Sequence, residues 1–266
     1  MKNIIFLPVS LLLIMVISSC EKVIDVDLKS TAKKYVIEGI VTDQAGGSMV
    51  KITQTKDFNE NNNFPGVSGA AVIIKDNGVA IPLQETGSGI YTNAGLKGIS
   101  GHRYILEVKI DGQTFTASSS LPSKVNFDTM YVKEEEFFGV NRKIPNVSYV
   151  DPPGSGNSYR FVLYKNGEQQ KTIYVVNDDY ADNRPASWQL LTYDEEEEED
   201  KVKTNDIIRV DMFCIDKAMY KYWFSLLAAS GGGSGSTPAN PVTNISGGAL
   251  GYFSAHTSQR REVVVE

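Results

Sequence analysis

The side chains best able to do chemistry here are carboxylates and aromatic rings, and they gather in the second half of the chain. Asp178, Asp179 and Asp182 fall within "NDDYADN", and seven acidic residues run unbroken from Asp194 to Asp200. Hard oxygen ligands at this density suit calcium. The first cluster lacks the D-x-[DN]-x-[DN]-G order of a calcium loop, and a block of like charge also describes a solvated loop between strands. Asp178, Asp179 and Asp182 are therefore kept as calcium candidates, and no metal site is assigned. Tyr180 and Trp188 flank the polar loop. Rings in such a place can stack on sugars or grip peptide side chains, so these two are the ligand-binding candidates. Other aromatics, including Tyr193, Tyr220, Tyr222, Trp223, Tyr252 and Phe253, crowd the same half. For Trp223, ordinary helix packing is the competing explanation. Histidine is scarce, with only His102 and His256, and neither neighbours another metal ligand in sequence. A zinc site needs several His or Cys ligands. No G-x-S-x-G elbow occurs, and "GGGSGS" at 231–236 is neither fed by a strand nor ended by the Gly-Lys-Ser/Thr of a phosphate loop. It is read as a linker. No catalytic residue is assigned, no cofactor is expected, and the chain is read as a non-enzyme.

A different chemistry stands at the N-terminus. Lys2 precedes an apolar run from Ile4 to Ile17. The run is shorter than the ~20 residues a helix needs to cross a bilayer. It fits the ~7–15-residue core of an export signal. It ends Ile17-Ser18-Ser19-Cys20, which resembles the lipobox of bacterial lipoproteins. The competing explanation is a buried apolar helix with an incidental cysteine. The lipobox implies removal of residues 1–19, lipidation of Cys20 on its thiol and on its new amine, and a tether over 20–34. More than one acyl chain gives stable membrane anchoring.

Composition limits what the remainder can be. Hydrophobic residues make up 41% of the chain, enough for a real core. The net charge of −6 argues against nucleic acid as a partner, because phosphate binding wants clustered Lys and Arg. With Cys20 lipidated, Cys214 has no partner for an intramolecular disulfide. Its setting, "VDMFCI", suits a buried inert thiol better than a reactive one.

The elements that must position these residues are mostly strands. "YVIEGIVT", "SMVKITQTKDF", "AAVIIKDNGVAIPL" and "HRYILEVKIDGQTFTASSSLP" alternate or carry β-branched runs. Asp76-Asn77-Gly78 and Asp111-Gly112 are hairpin signals, since Asn, Asp and Gly tolerate positive φ. Six or seven short strands with turns every ~8–12 residues match an immunoglobulin-like β-sandwich over 35–122. A second β-rich domain is expected over 123–266. It includes "SYRFVLYKNGEQQKTIYVV" with its turn at Asn166-Gly167, "ASWQLLTY", "DIIRVDMFCI", "ALGYFSA" and "REVVVE", the last strand completing a second sheet. One helix is expected near 216–230. Asp216 is its N-cap, and Met219, Tyr222, Trp223, Leu226 and Leu227 make a single apolar stripe. The fold class is thus all-β with one amphipathic helix.

"CEKVIDVDL", "YVIEGIVTD" and above all "NPVTNISGGALGYFSA" after an aromatic helix resemble the Bacteroidetes outer-membrane lipoproteins grouped as domain of unknown function 4249. The resemblance covers most of the chain after Cys20. It implies an outer-membrane lipoprotein with no established catalysis, an accessory to a TonB-dependent receptor that helps capture or admit a nutrient. The cargo, small molecule or peptide, is not implied. The alternative is an envelope adhesin or assembly protein binding an extracellular polymer or protein. After the cysteine, Glu21-Lys22 is followed by spaced Asp25 and Asp27 rather than a compact acidic signal, so the surface and periplasmic faces both stay open. The Pro-rich 231–245 stretch is the expected receptor contact. Asp128-Thr129-Met130 resembles the O-glycosylation tripeptide of Bacteroidetes exported proteins and makes Thr129 a modification candidate.

Overall fold

One 15-residue strand, Leu250–Val264, joins the two halves of the fold, pairing with the first strand at one end and with Ile207–Cys214 at the other. The computed structural model describes residues 32–57, 60–61, 63–137, 139–179, 181–191, 201–230 and 239–266. Of its two units, the smaller comprises Met1–Ala32 and Asp57–Glu60 and carries a backbone bond from Glu60 N to Asp57 O. The larger, Lys33–Lys56 with Asn61–Glu266, is all-β with one helix among the described residues.

Its first half holds β1 (Tyr35–Thr42), β2 (Met49–Gln54), β3 (Ala71–Asp76), β4 (Val79–Gly87), β5 (Ile90–Thr92), β6 (Arg103–Ile110) and β7 (Gln113–Ser120). Alternation decides the packing. In β1, Tyr35, Ile37 and Val41 point inward, and in β6 Tyr104, Leu106, Val108 and Ile110 do the same. The two layers close on one core that also includes Val50, Ile52, Ile74 and Phe115. The turn residues behave as their chemistry requires. Asn77 and Gly78 between β3 and β4 have φ of 44° and 94°, and Asp111 and Gly112 between β6 and β7 have 49° and 73°.

The second half holds β8 (Thr129–Phe137), β9 (Val140–Val150), β10 (Ser158–Lys165), β11 (Glu168–Gln169), β12 (Tyr174–Asn177), β13 (Pro185–Gln189) and β14 (Ile207–Cys214). Then come helix α1 (Lys217–Ser230), β15 (Ile245–Ser246) and β16 (Leu250–Val264). β13, β9 and β8 form a three-stranded sheet. It packs on β10 and β14, which belong to a 13-stranded sheet, around Val147, Tyr149, Tyr159, Phe161, Leu163, Ile208, Val210 and Met212. The β8–β9 hairpin went unread in the sequence because Pro145 and polar residues interrupt the pattern of β9.

The tail differs from its sequence reading. "ALGYFSA" and "REVVVE" are not two strands of a second sheet but one continuous strand, β16. Its first half pairs in parallel with β1, from Val36↔Leu250 to Thr42↔His256, and its second half pairs antiparallel with β14. The polar middle stays in the strand because its side chains have partners. Gln259 bonds the backbone of Val125 and Phe127, Arg260 pairs with Asp211, and Arg261 donates to Phe127 O. The first core accordingly takes Ile245, Ala249, Phe253 and Ala255 from this tail.

The tail motif earns its shape from two residues. Asn244 Nδ2 donates to Phe253 O at 2.7 Å and Ser118 O at 3.2 Å, while its Oδ1 accepts from Phe253 N at 2.9 Å. Gly251 sits at φ 94°, and a Cβ there would lie 2.1 Å from Ile37 O of β1, so only glycine fits the parallel pair at that point. Helix α1 starts as its cap residue dictates: Asp216 Oδ1 accepts from Met219 N, and Oδ2 accepts from Ser119 Oγ and Ser120 N of β7. Met219, Tyr222 and Trp223 are its buried face.

Candidate functional site

β10 separates two polar environments. Tyr159 and Phe161 point into the second core, and Arg160 points to the opposite face, where α1 lies. On the inner side Tyr159 donates its hydroxyl proton to Asp151 Oδ1. Asp151 is wholly buried, and that burial raises its carboxyl above the usual range, with Asp178 and Asp182 adding to the effect. Burial and the Asp151 partner push the Tyr159 phenol well above its ordinary value. Its ring centroid lies 4.5 Å from that of Tyr149.

Next to this pair, Asp178 and Asp182 hold a loop. Asp178 Oδ2 accepts from Gly156 N at 2.6 Å and Asn157 N at 2.9 Å, and Asp182 Oδ1 accepts from Gly154 N at 2.8 Å. Asp179 accepts from Asn177 Nδ2 at 2.6 Å. The three calcium candidates thus act on separate partners. Among the described residues, no group of three or more His, Cys, Asp or Glu side chains could hold a metal ion. Asp194–Asp200 lies outside the described residues.

Trp188 is half-buried. Its Nε1 donates to Tyr149 OH at 3.2 Å, and its ring helps line a cleft of about 180 Å³ with Phe161, Ile173, Val175, Leu190 and Leu227. This hollow lies between β12, β13 and the end of α1 and is lined mostly by apolar side chains. Tyr180, expected to share the site, lies outside the described residues. A second hollow of about 280 Å³ is lined by Glu134, Arg142, Lys143, Lys201 and Lys203, and Arg142 and Lys201 are both engaged within the protein.

On the outer side of β10, the Arg160 guanidinium carbon lies 3.4 Å from the ring centre of Trp223 and 5.9 Å from that of Phe213. Trp223, Tyr222 and Tyr252 form a ring cluster with centroids 5.0–5.2 Å apart. Burial lowers the Arg160 pKa from its ordinary value and pushes the Tyr222 phenol up to about 12. His256 lies against Phe213, 4.7 Å between centroids, with its Nδ1 2.8 Å from Ser254 Oγ. Burial, then Arg160, pull its pKa down to about 4, so it is neutral in the fold.

A model of the family described as domain of unknown function (DUF4249) matches residues 21–262. The chain belongs to this family. No curated protein matches it.

The remaining candidates of this DUF4249 member fall in separate places. His102 Nδ1 lies 2.6 Å from Asp76 Oδ1 at the start of β6, remote in sequence and strand from His256. Cys214 is buried, its thiol accepts from Val125 N at 3.4 Å, and burial raises its pKa. Thr129 is the exposed first residue of β8, opposite Ser148. Cys20 and 231–238 lie outside the described residues. Sequence reasoning missed the Asp151–Tyr159 pair and Arg160. The alternation of "SYRFVLY" does place Arg160 opposite the core face, but nothing local shows that a helix 60 residues later will cover it.

Proposed function

We propose that this DUF4249 member is a Bacteroidetes lipoprotein, anchored to the outer membrane through Cys20, that serves without catalysis as an accessory to a TonB-dependent receptor. The observation that carries the reading is where the family match begins: at residue 21, directly after the lipobox cysteine. The part the family shares is therefore the part a lipoprotein peptidase would leave behind. A β body with an aromatic-lined cleft suits capture of a ligand near a receptor. The test is purification of the lipidated protein from detergent-solubilised outer membrane after mild crosslinking, with mass spectrometry of whatever accompanies it. A TonB-dependent receptor in near-equal amount is expected. Recovery of the protein alone in repeated preparations removes the accessory role and favours the adhesin or assembly role. A Cys20→Ala variant that stays acylated, or remains in the membrane fraction, removes the anchor.

A further inference from the structure

We infer that the outer face of β10 carries a binding site for a small planar carboxylate, with Arg160 as its anion receptor and Trp223, Tyr222 and Tyr252 as its walls and donors. The inference stands apart from the accessory role and would hold if that role failed.

The argument starts from unspent hydrogen bonds. A guanidinium offers five N–H donors and no acceptor, and a phenol hydroxyl can donate and accept. Among the described residues, neither Arg160 nor the hydroxyls of Tyr222 and Tyr252 have a hydrogen-bond or ion-pair partner. Arg160 and Tyr252 are half-buried, and Tyr222 is buried. Elsewhere on the same sheet some cations have acid partners: Arg260 Nε donates to Asp211 at 2.7 Å, and Lys75 to Glu107 at 3.1 Å. Of the acids across the strands, Asp211 on neighbouring β14 is held by Arg260 at 2.7 Å, and Glu38, opposite Tyr252, pairs with Lys51 at 3.9 Å.

Arg160 is therefore a cation whose face is covered by Trp223, whose neighbours are apolar rings and phenols, and whose donors have no partner among the described residues. Stacking removes water from the guanidinium faces and leaves the in-plane N–H fork as the direction of approach. Such a fork fits a carboxylate bidentately. The two phenols can donate to its remaining lone pairs, and the ring walls suit a flat apolar body. His256, neutral at physiological pH, adds no competing charge.

The probe is benzoate, with inorganic phosphate as the second arm. The full-length protein in detergent carries Trp188→Phe, which leaves Trp223 as the sole indole. Saturable change of Trp223 fluorescence with benzoate is expected, weakened about tenfold or more by Arg160→Met. Tyr252→Phe, which keeps the ring and removes only the hydroxyl, is expected to weaken binding several-fold, and it serves if Arg160→Met does not fold. Three results overturn the inference: no saturable change, equal affinity in both variants and the parent, or phosphate bound as tightly as benzoate.

Discussion

Tyr159 and Arg160 are neighbours in sequence and opposites in circumstance. Tyr159 faces inward to a carboxylate that is wholly buried, and each of the two groups is the other's partner. Arg160 faces outward under a helix, stacked on an indole, with its donors unanswered among the described residues. The inner polar pair has the form of a structural device buried in the second core, with Asp151 Oδ2 left without a partner of its own among the described residues. The outer cation has the form of a receptor. One strand thus separates what holds the fold from what the fold leaves available, and a series of substitutions on its two faces can break or sharpen that division.

The largest effect is expected from the inner face. Phe161 is fully buried among the second core's aromatics. Phe161→Ala should lower unfolding free energy by about 3–5 kcal/mol, read from the urea midpoint. The next is a pH effect on the outer side. His256 is neutral when folded, with a pKa of about 4 against an ordinary 6.5. The unfolded chain therefore binds the extra proton first, so stability is lost as pH falls from 6.5 to 4. The loss should be about 3 kcal/mol, and a His256→Gln variant should lack it in the same titration.

Tyr159→Phe removes the hydroxyl that serves Asp151 and leaves a buried carboxyl short of a donor. The expected cost is about 1–3 kcal/mol by chemical denaturation. Asp151 itself has a raised pKa in the fold. Its protonated form is favoured there, so stability falls as pH rises from the ordinary carboxylate value toward the folded one. Asp151→Asn should flatten that part of the pH–stability curve. The smallest effect is expected from Arg160→Met, which keeps the stem against Trp223 and deletes an unpaired charge. Its urea midpoint should stay within about 1 kcal/mol of the parent. A loss as large as that of Tyr159→Phe would make the outer face structural too.

Local chemistry was legible in the sequence, and long-range pairing was not. Asn77-Gly78, Asp111-Gly112 and Asn166-Gly167 all adopt the left-handed turns their residue types announce. Asp216 caps α1 as expected, and Met219, Tyr222 and Trp223 are buried as the stripe requires. The parallel pairing of β1 with β16 could not be read, because partners 214 residues apart leave no local signature. β16 was broken in two at His256–Arg260 because polar residues there find their partners only on distant segments, Gln259 on Val125 and Phe127 and Arg260 on Asp211. The candidate site followed the same rule. Trp188 was found as an aromatic beside a polar loop and does line a cleft. Asp178 and Asp182 looked like cation ligands and proved to be loop anchors, since the glycine amides they bind, at 154 and 156, are more than 20 residues away. Arg160 was invisible as a site because its isolation is a property of the assembled face.

The most direct test of the division between the two faces is the urea midpoint of the parent and of Arg160→Met, each with and without saturating benzoate. A ligand that binds only the folded state raises the midpoint by mass action. The predicted result is a higher midpoint for the parent in benzoate, no change for Arg160→Met, and nearly equal midpoints for the two without ligand. A fall in the ligand-free midpoint of Arg160→Met, with no benzoate effect in the parent, would contradict the account and return Arg160 to the framework of the fold.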